Sequence, residues 1–168
     1  MIKSDFAVIV PAFNEAPVIP ELISELREAF SRHHLEGEVI LVDDGSTDNT
    51  AEIAEQVAEG WSALKIIRHQ KNLGKTESMV TGANSTSKKY LVIFDADLQH
   101  SPNEIPRFLE KLAEGWDIVT GRKLGAYSKR TVSSIYNRLS RKIFSVPVSD
   151  LNSMKAFRKE LLSSLTLR

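Results

Sequence analysis

A chain of 168 residues, 42% hydrophobic and 26% charged, suits one soluble domain with a sizeable core. It has no cysteine, which excludes disulfides and thiolate metal sites. No apolar run approaches the roughly 20 residues needed to cross a bilayer, and Pro11 cuts short the only N-terminal apolar stretch, too short for a signal peptide, so the default address is cytoplasmic. Net charge is zero but unevenly spread: residues 1–121 hold 11 Lys and Arg against 20 Asp and Glu, and residues 122–168 hold 11 against 2, so the parts carry about −9 and +9.

Apolar runs alternate with helical patterns along the chain. Phe6–Val10 (FAVIV) reads as a buried strand, and Val18–Arg32 as a helix with Val18, Ile19, Leu22, Ile23, Leu26 and Phe30 at helical spacing. Glu38–Val42 is a second strand, followed after DDGSTDNT by a helix near Ala51–Ala58 with Ser, Thr and Asp as caps. Leu64–Arg68 is a third strand and Thr76–Asn84 a helix. Tyr90–Phe94 is a fourth strand, Pro102-Asn103-Glu104 opens another helix, and Asp117–Thr120 is a fifth strand. The alternation predicts an α/β fold, a mainly parallel central sheet with helices on both faces. Ligands of such sheets bind at the carboxyl ends of the strands. The polar clusters PAFNEA, DDGSTDNT, HQKNLGK, DADLQH and GRK fall at five such ends.

Two nucleotide signatures are missing. Gly74-Lys75-Thr76 resembles the end of a P-loop, but His69 stands where that motif needs its first glycine. The first strand runs into Pro11 rather than a glycine-rich dinucleotide turn. Asp43 and Asp44 suit hydrogen bonds from a base or ribose, or an Asx turn and helix cap with Ser46 and Asp48. Asn14 and Glu15 likewise read as a helix start or a nucleotide contact. Asp95 and Asp97, two residues apart after a strand, point to the same side and call for a cation. With Gln99 they offer the oxygen ligands that suit Mg²⁺ or Mn²⁺. In the basic tail, Val132, Ile135, Leu139 and Ile143 share a helical face, and Arg130 and Ser134, one turn apart, suit a shared hold on one phosphate. Such a helix fits packing onto the domain or an anionic membrane surface. The tail lacks the aromatic platform of single-strand readers, so no nucleic acid is expected.

VIVPAFNEA, VILVDDGSTDNT, NLGKTESMVTGA, FDADLQHSPNEIP and DIVTGRK, in this order, resemble family 2 glycosyltransferases of the GT-A fold. Arg130-x-x-x-Ser134 and Asp150-x-x-x-x-Lys155-x-Phe157-Arg158 narrow the resemblance to dolichyl-phosphate mannose synthase and other polyprenyl-phosphate glycosyltransferases. The resemblance implies inverting, metal-dependent transfer of a sugar from a nucleotide diphosphate sugar to a polyprenyl phosphate, at the cytoplasmic face of a membrane. Pro11, Phe13, Glu15 and Asp43, with Asp44, would cradle the nucleoside. Asp95 and Asp97, with Gln99, would hold Mg²⁺ or Mn²⁺ on the diphosphate, and Arg122, Arg130 and Ser134 would receive the lipid phosphate. Lys75 matches a family position on the donor side. The implied organisation is a nucleotide-sugar and metal-binding part, 1–121, and a basic acceptor-side segment, 122–168, of a catalytic domain that relatives continue past KAFRKELL. Two other readings are transfer to a glycan hydroxyl and a non-catalytic nucleotide-sugar-binding module.

Overall fold

The computed structural model describes residues 2–121 and 154–163. Its strands are β1 (Phe6–Ala12), β2 (Glu38–Asp43), β3 (Leu64–Arg68), β4 (Tyr90–Ile93), β5 (Ile118–Thr120) and β6 (Lys155–Arg158). Its helices are α1 (Ile19–Arg32), α2 (Thr50–Val57), α3 (Lys75–Asn84) and α4 (Ile105–Ala113), with a 3₁₀ turn at Pro102–Glu104 and a helical turn at Glu160–Ser163. The six strands form one sheet in the order β3-β2-β1-β4-β6-β5. β1 pairs in parallel with β2 and β4, and β2 with β3. β6 runs antiparallel to both β4 and β5. The predicted α/β architecture is therefore present, with one strand unforeseen. KAFR has charged residues at both ends and no apolar run, so its strand character comes from pairing with β4, where Ala156 is fully buried.

β1 explains why its sequence reads as a continuous apolar run. Successive side chains point to opposite faces, and both faces are covered. Phe6, Val8 and Val10 join Ile19, Leu22 and Leu26 of α1, Ala54 of α2, and Ile105 and Leu109 of α4 on one side. Ala7 and Ile9 join Ile40, Leu91 and Ala83 of α3 on the other, with Met79 and Leu162 packed against them. α3 sits close to the sheet, since a Cβ on Gly82 would stand 2.5 Å from Ile9 Cγ2.

β1 runs two residues further than the apolar pattern, through Pro11 to Ala12. Phe94 N–H donates to the Ile9 carbonyl and Asp44 N–H to the Ala12 carbonyl, so odd positions of β1 face β4 and even ones face β2. Pairing with β4 ends at Ile93. The missing N–H of Pro11 therefore removes no ladder bond. β4 stops one residue earlier than expected, which leaves Asp97 in a turn rather than on an extended segment. Among the described residues no helix is long and apolar enough to cross a membrane.

Candidate functional site

The order β2-β1-β4 reverses between β1 and β4, and that switch point is where open parallel sheets hold ligands. A cavity of about 340 Å³ lies there. Pro11, Ala12, Phe13 and Glu15 from β1 and its loop form one wall; Asp95, Ala96 and Asp97 after β4 form the opposite one. Asp44, Asn72, Gly74, Lys75 and Ser78 close it from β2 and the start of α3. Seven residues singled out in the sequence, Pro11, Phe13, Glu15, Asp44, Lys75, Asp95 and Asp97, are thus brought together. Asp43 and Gln99 do not line the cavity. Arg122, Arg130, Ser134 and the helical stripe from Val132 to Ile143 lie outside the described residues.

The loops at the rim are tied to one another. Asn14 takes the left-handed conformation, φ 56°, which asparagine tolerates. Its N–H donates to Ser46 Oγ at 2.9 Å, and its Oδ1 accepts from Thr47 N–H at 2.9 Å. Asp48 accepts from the Ala16 and Thr50 amides at 3.1 Å each and from the Thr50 hydroxyl. Ser46, which the sequence suggests as a cap of α2, instead braces the β1 loop. Asp48 joins the start of α2 to that same loop. Gly45, at φ +71°, passes so close to the backbone of Lys71 that a Cβ would collide with it.

The two acids of DDG diverge. Asp43 is buried, and its Oδ1 accepts from Ser46 N–H, three residues on, at 3.0 Å. Asp44 is also buried, and both of its oxygens are taken: Oδ1 accepts from Leu73 N–H at 2.9 Å and from His69 Nδ1 at 2.8 Å, and Oδ2 from Gly74 N–H at 2.8 Å. Burial alone would raise the Asp44 carboxyl, but the hydrogen bonds from His69, Leu73, Gly74 and Ser78 outweigh it and hold it below the usual carboxylate range. Asp44, for which the sequence suggests a contact with a base or ribose, lines the cavity with its carboxylate hydrogen-bonded within the chain. His69 is the residue that the sequence reading missed. Register supplies the signal: Asp43 pairs with Arg68, which sets Asp44 and His69 side by side one residue beyond both strands.

The acids after β4 are arranged differently. Asp95 Oδ1 lies 2.6 Å from Lys75 Nζ, so this carboxylate already has a cation. Asp97 is exposed, and its Oδ1 accepts from Gln99 N–H at 3.1 Å across a turn in which Leu98 sits at φ 55°, an uncommon conformation for a bulky residue. Gln99 thus braces Asp97 through its backbone. Glu15 has its carboxyl raised, first by burial and then by the charges of Asp97 and Asp48. Lys75 opens α3 after Gly74, φ +95°, which puts an ammonium and the positive end of a helix dipole on one side of the cavity. Among the described residues no three His, Cys, Asp or Glu side chains gather to hold a metal by themselves.

A switch-point cavity flanked by an acidic pair and a cationic helix start sits in an α/β domain of the GT-A kind. The chain belongs to glycosyl transferase family 2, whose profile matches residues 7–163. A mannosyltransferase from Pyrobaculum calidifontis, solved with GDP-Man and Mn²⁺, is similar in structure, with a TM-score of 0.76 and 26% identity over 99% of this chain and 48% of that one. Glucosyl-3-phosphoglycerate synthase from Mycobacterium tuberculosis, solved with Mn²⁺, UDP and phosphoglyceric acid, has a TM-score of 0.76 and 23% identity over 96% of this chain and 58% of that one. The same synthase has been solved with Mg²⁺ and UDP. The chain therefore spans about half to three-fifths of the length of these relatives.

Proposed function

We propose that this chain carries the donor side, in residues 1–121, and an acceptor-side segment, in residues 122–168, of a metal-dependent glycosyltransferase that takes a sugar from a nucleoside diphosphate sugar and passes it to a polyprenyl phosphate. The observation that carries the donor half is the convergence of Asp95, Asp97, Lys75 and the start of α3 on one cavity at the switch point. The complexes of the relatives with GDP-Man or UDP and Mn²⁺ support the same donor class. Asp97 and Asp95 fit Mg²⁺ or Mn²⁺, which take one or two carboxylates and complete their shell with phosphates and water. Such an ion supplies Lewis-acid stabilisation of the charge on a leaving diphosphate.

The chain's own residues then have separable tasks. Lys75 and the α3 amides meet the diphosphate, an anion at a helix N-terminus. Phe13, 42% exposed on the rim, offers an apolar face to the nucleoside, and Pro11 and Glu15 complete that wall. A phosphate acceptor is already anionic at neutral pH and attacks the anomeric carbon without a strong general base. The acceptor assignment rests on Arg122, Arg130 and Ser134 in the basic segment 122–168 and on its charge, which favours an anionic lipid at a membrane surface.

A second reading, transfer to a hydroxyl, is favoured by one observation: the related synthase binds phosphoglyceric acid. Titration calorimetry with GDP and UDP, each with and without Mn²⁺, tests the donor half. Metal-dependent binding of one nucleotide is expected, and binding of neither sinks the reading. Transfer of labelled sugar to polyprenyl phosphate, and none to hydroxyl acceptors such as 3-phosphoglycerate, is the expected result for the acceptor half. The reverse decides for the second reading.

A further inference from the structure

We infer that a second cavity, at the opposite end of the sheet, is a binding site for a small organic phosphomonoester, held by Lys88, Lys89 and Lys159 against an apolar wall. The cavity measures about 880 Å³, within the range of small-molecule sites. It lies between the carboxyl end of α3 and the start of β4, where β6 leads into the helical turn Glu160–Ser163. The cavity described above adjoins the other ends of α3 and β4 and shares no lining residue with this one. The inference therefore stands whether or not the donor reading does.

Two segments far apart in the chain bring the cations together. Lys159 N–H donates to the Lys89 carbonyl at 2.7 Å, which ties one lysine's backbone to the other's. The loop that carries Lys88 and Lys89 is itself fixed. The hydroxyl of buried Thr86 donates to Glu38 Oε2 at 2.7 Å and accepts from Lys88 N–H at 3.2 Å, while Lys89 N–H donates to Asp5 Oδ1 at 3.0 Å. The ammonium groups are less fully answered than this backbone. Lys88 Nζ stands 3.9 Å from Glu38 Oε1, at the limit of an ion pair. Lys159 Nζ donates to the Thr86 carbonyl, which occupies one of its three donors with a neutral group. Arg158 also lines the cavity, but its Nε lies 3.0 Å from Asp117 Oδ1 and its guanidinium covers the Tyr90 ring, so it belongs to the frame. Glu160 is the one carboxylate of the lining, against four cations. The carboxyl end of α3 attracts a cation by its dipole, which accounts for one ammonium at a carbonyl and not for three around a hollow. Val80 and Ala83 of α3, with Leu162, supply the apolar wall. Lysines are compact point charges that suit a phosphate, and the wall suits an organic group attached to it. A concave site of this size encloses a discrete molecule rather than resting on a membrane.

The test uses the isotope-labelled 168-residue chain and its K89Q and K88Q/K89Q variants, titrated with phenyl phosphate, inorganic phosphate and phenol while backbone amide shifts are followed.

Phenyl phosphate is expected to move Ser87, Lys88, Lys89 and Lys159 saturably, about fivefold more tightly than inorganic phosphate, because only the ester also fills the apolar wall. Phenol should leave these amides in place. K89Q should weaken phenyl phosphate about threefold and K88Q/K89Q about tenfold, the scale of one and two partly exposed charge contacts, and added salt should weaken it in the parent. Unmoved shifts in β1 and α1 verify that the variants are folded. Equal affinity in K88Q/K89Q and the parent, shifts confined to Gly74 and Lys75, or phenol binding as tightly as its phosphate each overturn the site. Inorganic phosphate binding as tightly as the ester overturns the ligand class. Binding to phosphatidylglycerol vesicles that phenyl phosphate does not displace would make the lysines a membrane surface and overturn the site as well.

Discussion

Two pairs of aspartates sit at the ends of the strands that flank β1, and they have opposite surroundings. After β2, Asp43 and Asp44 are buried, and Asp44 accepts three hydrogen bonds from its own chain. After β4, Asp95 faces a lysine and Asp97 stands exposed on a turn. A buried carboxylate surrounded by amides is a structural anchor, since losing it strands several donors away from water. An exposed carboxylate with one local hydrogen bond costs the fold little and remains available to a cation. On the proposed reading the contrast separates holding the cavity's shape from doing its chemistry, although both motifs are adjacent or near-adjacent acids after an apolar run.

The sharpest way to break this contrast is Asp97→Ala. Metal-dependent nucleotide binding is expected to fall at least about a hundredfold, as when a metal's carboxylate ligand is lost. The thermal midpoint should stay within the small range typical of exposed substitutions. Calorimetry and a melting curve on the same sample check both halves, and undiminished binding would remove Asp97 from the site. Asp44→Ala should behave in the opposite way. It strands the Leu73 and Gly74 amides and the His69 ring, so a loss of about 3 kcal/mol of stability is expected by denaturant titration. Lys75→Met comes next. It removes the cation opposite Asp95, leaves the packing intact, and should weaken diphosphate binding about tenfold with little change in stability, since an exposed ion pair contributes at most about 1 kcal/mol.

How much of this was legible beforehand follows the same division. The parallel strands β1, β2 and β4 announce themselves because both of their faces are buried, so each reads as an apolar run closed by polar residues. The strand ends then locate the cavity, and seven of the residues named from the sequence line it. β6 was invisible because its stability comes from partners far away in the chain: Leu91 pairs with Phe157, and Val92 with Ala156. The partner of Asp44 was hidden for a related reason. That Asp44 meets His69 depends on the register of β2 with β3, which no local period encodes. Nor does local sequence say which of two acids is buried. Asp43-Asp44 and Asp95-x-Asp97 are both short acidic groups after apolar residues, and only the loop packed over β2 makes the first pair an anchor.

The smallest effect tests the same contrast through pH. Glu15 lies on the cavity wall with its carboxyl raised by burial first and by Asp97 and Asp48 after it. A group bound more tightly to its proton in the folded state contributes stability that is complete below the unfolded pKa and is lost as pH rises through the folded one. At neutral pH, ionised Glu15 therefore works against the fold. Glu15→Gln keeps the size of the side chain and the backbone bond from Glu15 N–H to Thr50 Oγ1 at 2.9 Å. It should melt slightly higher than the parent at neutral pH and match it in acid. Asp44 must show the opposite slope: its carboxyl is lowered, so its contribution is present above the unfolded pKa and disappears as pH falls through the folded value. The deficit of Asp44→Asn should then be largest at neutral pH and shrink in acid. Melting both variants beside the parent across the acid-to-neutral range gives two difference curves. Curves of opposite sign separate an anchor from a strained wall of the binding cavity, and curves of the same sign would mean that the two acids are not divided in this way.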